Sequence, residues 1–118
     1  MDRDPASRIE LLQGTLDLLI LRTLLAGAAH GHAIARHIQR TSEELLQVET
    51  GSLYPALHRL EAKGWVAASW DLSDKGKRAR FYRLTASGRK HLTLERSKWE
   101  ALARAIGLIL NPADQEGR

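Results

Sequence analysis

The sequence predicts a mainly α fold with one small β-hairpin and a long final helix. Three observations predict it. Three stretches with helical spacing of apolar residues come first, a short two-strand pattern split by a basic turn follows, and a seven-residue apolar repeat then runs to Asn111-Pro112. At 118 residues and 43% hydrophobic content, the chain is expected to form one domain with its own core, below the length at which chains usually divide.

The first helix is expected between Gly14 and Gly27. One of its faces carries Leu16, Leu19, Ile20 and Leu24 and the other carries Leu18, Leu21 and Leu25, so it should be covered on two sides. After a turn over residues 28–31, His32 to Thr41 place Ala33, Ile34, His37 and Ile38 at helical spacing and close on Thr41-Ser42-Glu43-Glu44, which reads as a short second helix. A third helix starts near Thr50 and runs to Lys63, with Leu53, Leu57 and Leu60 as its buried stripe and Gly64 as its stop. Pro55 falls in its first turn, where a missing N–H costs nothing.

Trp65 to Trp70 and Ala79 to Thr85 form the two arms of the hairpin, joined by a polar stretch from Asp71 to Arg78 that contains Gly76. Trp65 and Trp70 are assigned to the base of the hairpin and the core. The last helix spans Ala86 to Leu110. Leu92, Trp99 and Ile106 recur every seven residues, with Leu102 and Ile109 between them and Glu95 as an interruption, a seam that calls for a partner helix.

Composition excludes several classes. There is no cysteine, so neither a disulfide framework nor a thiolate zinc site is available, and a reducing cytoplasm is the expected compartment. The opening MDRDPASR is charged and lacks the apolar core of a signal peptide, and no apolar run reaches the roughly 18 residues of a membrane span. No phosphate-cradling glycine motif and no nucleophile and base pair is visible, so no enzyme is expected. His30, His32 and His37 lack the further ligands of a tetrahedral metal site, and neither a metal nor a cofactor is expected.

The net charge of +4 is unevenly placed. Seven bases (Lys75, Lys77, Arg78, Arg80, Arg83, Arg89, Lys90) face one acid between Asp74 and Lys90, a local +6 that leaves −2 for the rest. Three helices followed by a basic hairpin is the order of a winged helix-turn-helix, in which the third helix enters the major groove and the wing lies along the backbone. On that reading Lys75, Lys77, Arg78 and Arg80 hold phosphates, while Ser52, Tyr54, Pro55, His58 and Arg59 face base edges, Arg59 being the candidate for a bidentate guanine contact. The plainer readings stay open beside it: a basic hairpin can be only a solvated turn, and Tyr54 can be a core residue whose hydroxyl reaches the surface.

The run GSLYPALHRLEAKGWV from Gly51 to Val66 closely resembles the third-helix motif of PadR-like regulators, and RFYRLTASGR from Arg80 to Arg89 resembles their second wing strand and the turn into the last helix. LLQGTLDLLILRTL and HGHAIARHI also resemble the family, so the likeness covers roughly Leu11 to Ile109. It implies a DNA-binding repressor that dimerises through its long C-terminal helix and first helix and is often released by a small phenolic effector. Ser52, Tyr54 and Pro55 match the family's groove-facing helix start, and Lys77, Arg78 and Arg80 its basic wing. The family frequently has a tyrosine where this chain has His32. The single final helix is similar to the short-tailed branch.

The expected organisation is therefore a flexible N-terminus (1–10), a winged helix-turn-helix DNA-binding domain (11–85), a C-terminal dimerisation helix (86–110) and a flexible tail (111–118). A twofold homodimer through Leu16, Leu19, Ile20, Leu92, Trp99, Leu102, Ile106 and Ile109 would pair with a double-stranded inverted-repeat operator whose half-sites lie about one turn apart. Trp99 is the candidate platform for an aromatic effector, against the plainer reading of packing. The rival function is a winged-helix protein-interaction or dimerisation module without specific DNA binding.

Overall fold

The structure is a computed structural model that describes residues 9–10 and 12–112. Residues 1–8 and 113–118, which make up most of the two segments expected to be flexible, lie outside the described residues. The elements in order are β1 (Ile9–Glu10), α1 (Gln13–Leu25), β2 (Ala29–His30), α2 (Gly31–Thr41), β3 (Leu46–Gln47), α3 (Thr50–Ala62), β4 (Val66–Leu72), β5 (Arg78–Leu84) and α4 (Ala86–Leu110). The fold is mainly helical with a small antiparallel sheet, as the sequence predicts.

The hairpin β4–β5 runs in register from Val66↔Leu84 to Leu72↔Arg78. Its turn is shorter than the sequence suggests. Ser73 N–H donates to the Lys77 carbonyl at 2.7 Å, and Gly76 takes φ +76° to complete the reversal. A third strand joins the sheet, because β2 pairs antiparallel with β5 through Ala29↔Tyr82 and His30↔Phe81, giving the order β2-β5-β4. β1 and β3 form a separate parallel pair. These two-residue strands are too short to leave a period in the sequence.

α1 is the central helix. Leu16, Ile20, Leu21 and Leu24 from it meet Ile34 and Ile38 of α2, Leu53, Ala56, Leu57 and Leu60 of α3, Val66 and Tyr82 of the sheet, and Leu92 of α4. Each fully buried Leu or Ile of this cluster contributes ~2 kcal/mol through the apolar area it removes from water.

Two side chains start helices. His30 Nδ1 accepts from Ala33 N–H at 3.2 Å and caps α2, and Thr85 Oγ1 accepts from Gly88 N–H at 3.0 Å and caps α4. The same Thr85 hydroxyl donates to the Gly64 carbonyl at 2.7 Å, which fixes the start of α4 to the base of the wing.

Two expectations are corrected. Leu16, Ile20 and Leu92 are not interface residues: they are buried in this chain's own core, with Ile20 at 0% exposure, because this side of α1 faces α2 and α3 and the first turns of α4 close over it. Leu19 is partly buried against the same cluster. Trp70 does not belong to the core, being 59% exposed, because β4 extends past the last core layer at Ala68. Trp65 does pack on the core, with its ring stacked 3.5 Å from that of His91. Beyond Leu92, α4 leaves the body of the fold with Trp99, Leu102, Ile106 and Ile109 exposed. Among the described residues no helix is long and apolar enough to cross a membrane.

Candidate nucleic-acid interface

α2 and α3 form the helix-turn-helix, and the turn between them uses left-handed backbone at Glu43 (φ 55°) and Glu44 (φ 67°). Leu53, Leu57 and Leu60 anchor α3 to α1, which leaves Ser52, Tyr54, Pro55 and His58 exposed on the opposite side. Binary patterning thus sets the presented face: the stripe that must be buried decides which residues cannot be. Tyr54, at 40% exposure, is not a core residue; its ring lies against Gly31, the first residue of α2.

Arg59 departs from its expected role. It faces α1, where Nη2 donates to Asp17 Oδ1 at 2.9 Å, and its Nε is buried without a partner. A guanidinium engaged this way cannot offer a bidentate fork to guanine without breaking the ion pair. Burial pushes the Asp17 carboxyl up from its ordinary value, against the opposing pull of Arg59, Lys63 and His91.

The wing stands beside α3. Arg80 Nη2 donates to Glu61 Oε2 at 2.8 Å and ties β5 to the last turn of α3, so Arg80 serves as a strut. Its guanidinium also lies over the Tyr82 ring, whose phenol burial pushes up. Further out, Arg78 stacks over the exposed Trp70 ring at 5.0 Å, and Lys75 and Lys77 stand at the turn without ion-pair partners among the described residues. Of the four wing bases singled out in the sequence, three therefore remain free to meet an anion and one is engaged.

A cavity of about 270 Å³ opens between α1 and α4, lined by Leu18, Leu19, Arg22, Leu92, Arg96 and Trp99. Trp99 is 48% exposed there, so this chain alone does not enclose it. Among the described residues no group of three His, Cys, Asp or Glu side chains is placed to hold a metal ion.

Sequence reasoning missed Asp17, a lone acid within the leucine-rich α1 that becomes meaningful only through its contact with α3 42 residues away.

Residues 20–94 match the transcriptional regulator PadR-like family. The chain is 35% identical over 97 residues to Transcriptional regulator Rv3488 of Mycobacterium tuberculosis, covering 82% of this chain and 87% of that one. Among solved structures it is similar to a padr family transcriptional regulator from Eggerthella lenta, with TM-score 0.70 and 31% identity over 83% of each chain. It is also similar to a transcriptional regulator from Clostridium thermocellum, with TM-score 0.73 and 29% identity over 80% of this chain and 92% of that one.

Proposed function

Because the chain belongs to the PadR-like family of transcriptional regulators, a family of DNA-binding and non-enzymatic proteins, we propose that it acts as a homodimeric repressor on an inverted-repeat operator. Residues 11–85 would be the DNA-binding unit and residues 86–110 the dimerisation helix. Ser52, Tyr54, Pro55 and His58 of α3 would enter the major groove and read base edges. Lys75, Lys77 and Arg78 would neutralise phosphates beside them, with Arg80 holding the wing against α3.

The observation that carries this reading is the Arg80–Glu61 bridge at 2.8 Å, which holds a wing with exposed cations against the helix that presents the polar face. Trp99, Leu102, Ile106 and Ile109 supply the apolar surface for a second copy. Twofold pairing would set the two α3 helices about 34 Å apart, one turn of DNA. A planar aromatic effector seated on Trp99 in the α1–α4 cavity would bind where the dimer forms and so bias the spacing of the two α3 helices.

The test is a titration of the protein against a duplex from its own upstream region and a scrambled duplex at two salt concentrations. Tighter binding of the upstream duplex is expected. K77Q/R78Q should weaken both duplexes by the same factor and flatten the salt dependence, since phosphate contacts carry no sequence information. Equal weak binding of the two duplexes would favour a protein-interaction module instead. Unchanged Trp fluorescence across a panel of planar aromatic compounds would remove the Trp99 platform.

A further inference from the structure

The wing carries an apolar feature that phosphate binding leaves unused. Trp70 and Leu72, two residues apart on β4, are 59% and 65% exposed. Both stand on the face of the sheet that Val66 and Tyr82 turn into the core, continued past the edge of that core. We propose that this pair is a wedge that opens a base step from the minor groove beside the α3 site and bends the duplex. The proposal rests on the DNA-binding reading above and adds to it a deformation that phosphate contacts do not require.

The register fixes what surrounds the pair. Trp70 stands directly opposite Arg80 and Leu72 opposite Arg78, so two cations flank two apolar side chains on one face. The Arg78 guanidinium lies over the Trp70 ring at 5.0 Å, which steadies the indole and still leaves it exposed. Arg80 is committed to Glu61 of α3 at 2.8 Å, so this face of the wing is the one turned towards the last turn of α3. Lys75 and Lys77 follow on the turn without ion-pair partners among the described residues. A single exposed leucine or tryptophan needs no explanation, whereas an apolar pair rimmed by free cations suits a surface that is anionic at its edges and apolar within.

The minor groove of a duplex is such a surface. Phosphates line its edges, deoxyribose carbons form its walls, and its width of about 6 Å admits a side chain but not a helix. Major and minor grooves alternate along the duplex, so with α3 in the major groove a hairpin tied to the end of α3 meets a minor one. This continuity with α3 favours the duplex over a protein surface of similar chemistry. Leu72, nearest the turn, is placed to enter between two base pairs, and the Trp70 ring to lie against the groove wall behind it. Apolar side chains inserted in this way unstack a step and kink DNA toward the major groove by roughly 20–90°. A kink in that direction folds the duplex around α3. Pyrimidine–purine steps unstack most easily, so the wedge adds a sequence preference at a position that no hydrogen bond reads.

The experiment uses the full-length protein with an upstream and a scrambled duplex, each carrying a fluorescence donor and acceptor at opposite ends. Energy transfer reports the bend and anisotropy the affinity, from 50 to 200 mM salt. Wild type is compared with W70A/L72A, L72A and K75Q/K77Q, and helical circular dichroism checks that each is folded. Saturating wild-type protein is expected to raise energy transfer in the upstream duplex. W70A/L72A should bind roughly 10-fold more weakly for each wing engaged, the size of one lost stacking contact. It should keep the wild-type salt slope and leave transfer at the level of free duplex. L72A, which spares the Trp70–Arg78 stack, should also lose most of the bend. K75Q/K77Q should do the reverse, flattening the log–log salt slope by roughly 0.9 for each phosphate no longer neutralised while the saturated duplex stays bent.

The proposal is overturned if the wild type binds the upstream duplex with no change in transfer, a result that leaves the DNA-binding reading standing on a straight operator. It is equally overturned if W70A/L72A and L72A bend the duplex as the wild type does, which would place the source of the bend elsewhere on the protein. A flattened salt slope in L72A would mean that the side chain acts by holding Arg78 on a phosphate, and would also remove the wedge. If the wild type binds neither duplex, the DNA-binding reading fails and the wedge fails with it.

Discussion

Arg59 Nη2 donates to Asp17 Oδ1 at 2.9 Å, so α3, the helix proposed to enter the major groove, is tied by one partly buried ion pair to the helix around which the core is built. Burial outweighs the cation in setting the Asp17 proton affinity and raises its pKa above 3.8. A carboxyl raised in the folded state favours folding below its ordinary range, and that contribution is lost as pH climbs through the raised value. Asp17→Asn, which keeps an oxygen for Arg59, should therefore flatten the fall in stability as pH rises out of the ordinary carboxylate range. At neutral pH it should cost less than ~1 kcal/mol. Asp17→Ala strands the guanidinium, whose Nε already lacks a partner, and should cost ~1–3 kcal/mol. Urea unfolding at pH 7 and pH 4.5 checks both; equal losses for Asn and Ala would show that Arg59 does not need this acceptor.

Gly88 lies in the first turn of α4, where an added Cβ would come 2.0 Å from the Trp65 carbonyl oxygen and 2.8 Å from Leu84 Cδ1. The nearest obstacle is backbone, so rotating a side chain cannot relieve it. Gly88→Ala must push the start of α4 off the base of the wing and stretch the Thr85 cap. The expected loss exceeds ~2 kcal/mol, even though alanine is the better helix former. Thermal unfolding reads it. Gly107→Ala is the control, because its Cβ would meet nothing within 4 Å, and it should stabilise slightly; a Gly88→Ala protein as stable as that control would mean the close approach is not real.

The elements of this fold that repeat are legible in the sequence. α3 and α4 are placed within a residue because Leu53, Leu57 and Leu60 mark a face and Asn111-Pro112 marks a stop. What escapes depends on contacts between distant segments. β2 consists of Ala29 and His30 alone and becomes a strand only when Phe81 and Tyr82 arrive beside it. Leu16 and Trp99 look alike in a periodicity argument, yet the first is buried by α1's own neighbours and the second projects past them, since period shows that a face is apolar but not what covers it. Arg59 escapes for the same reason: its partner is 42 residues away.

The exposed apolar seam of α4 predicts how the protein associates. Leu102→Glu with Ile106→Glu places two carboxylates in the proposed interface, far from the core, so the fold should survive and the dimer should not. Sedimentation equilibrium is expected to show a dimer for the wild type and a monomer for the double variant, with unchanged helical circular dichroism. The monomer should lose most of its preference for the upstream duplex, because one half-site carries only part of the recognition. A wild type that sediments as a monomer would dispose of the twofold reading.

Gly31 and Tyr54 give a test of α3 that does not alter α3. An alanine Cβ at Gly31 would come 2.7 Å from Tyr54 Oη and 2.9 Å from Cε1. Because these atoms lie at the far end of an exposed side chain, Gly31→Ala should displace the ring and leave the fold intact. If the Tyr54 ring serves the DNA contact, upstream-duplex affinity should fall ~10-fold in G31A and about as much in Y54A, a loss in the range of one discriminating contact. The double variant G31A/Y54A should be no worse than Y54A alone, since no ring remains to displace. In the Y54A background the glycine replacement should instead stabilise by ~0.5–1 kcal/mol, the usual gain for alanine within a helix. Additive losses in affinity would mean that Gly31 acts on DNA binding by a route other than Tyr54.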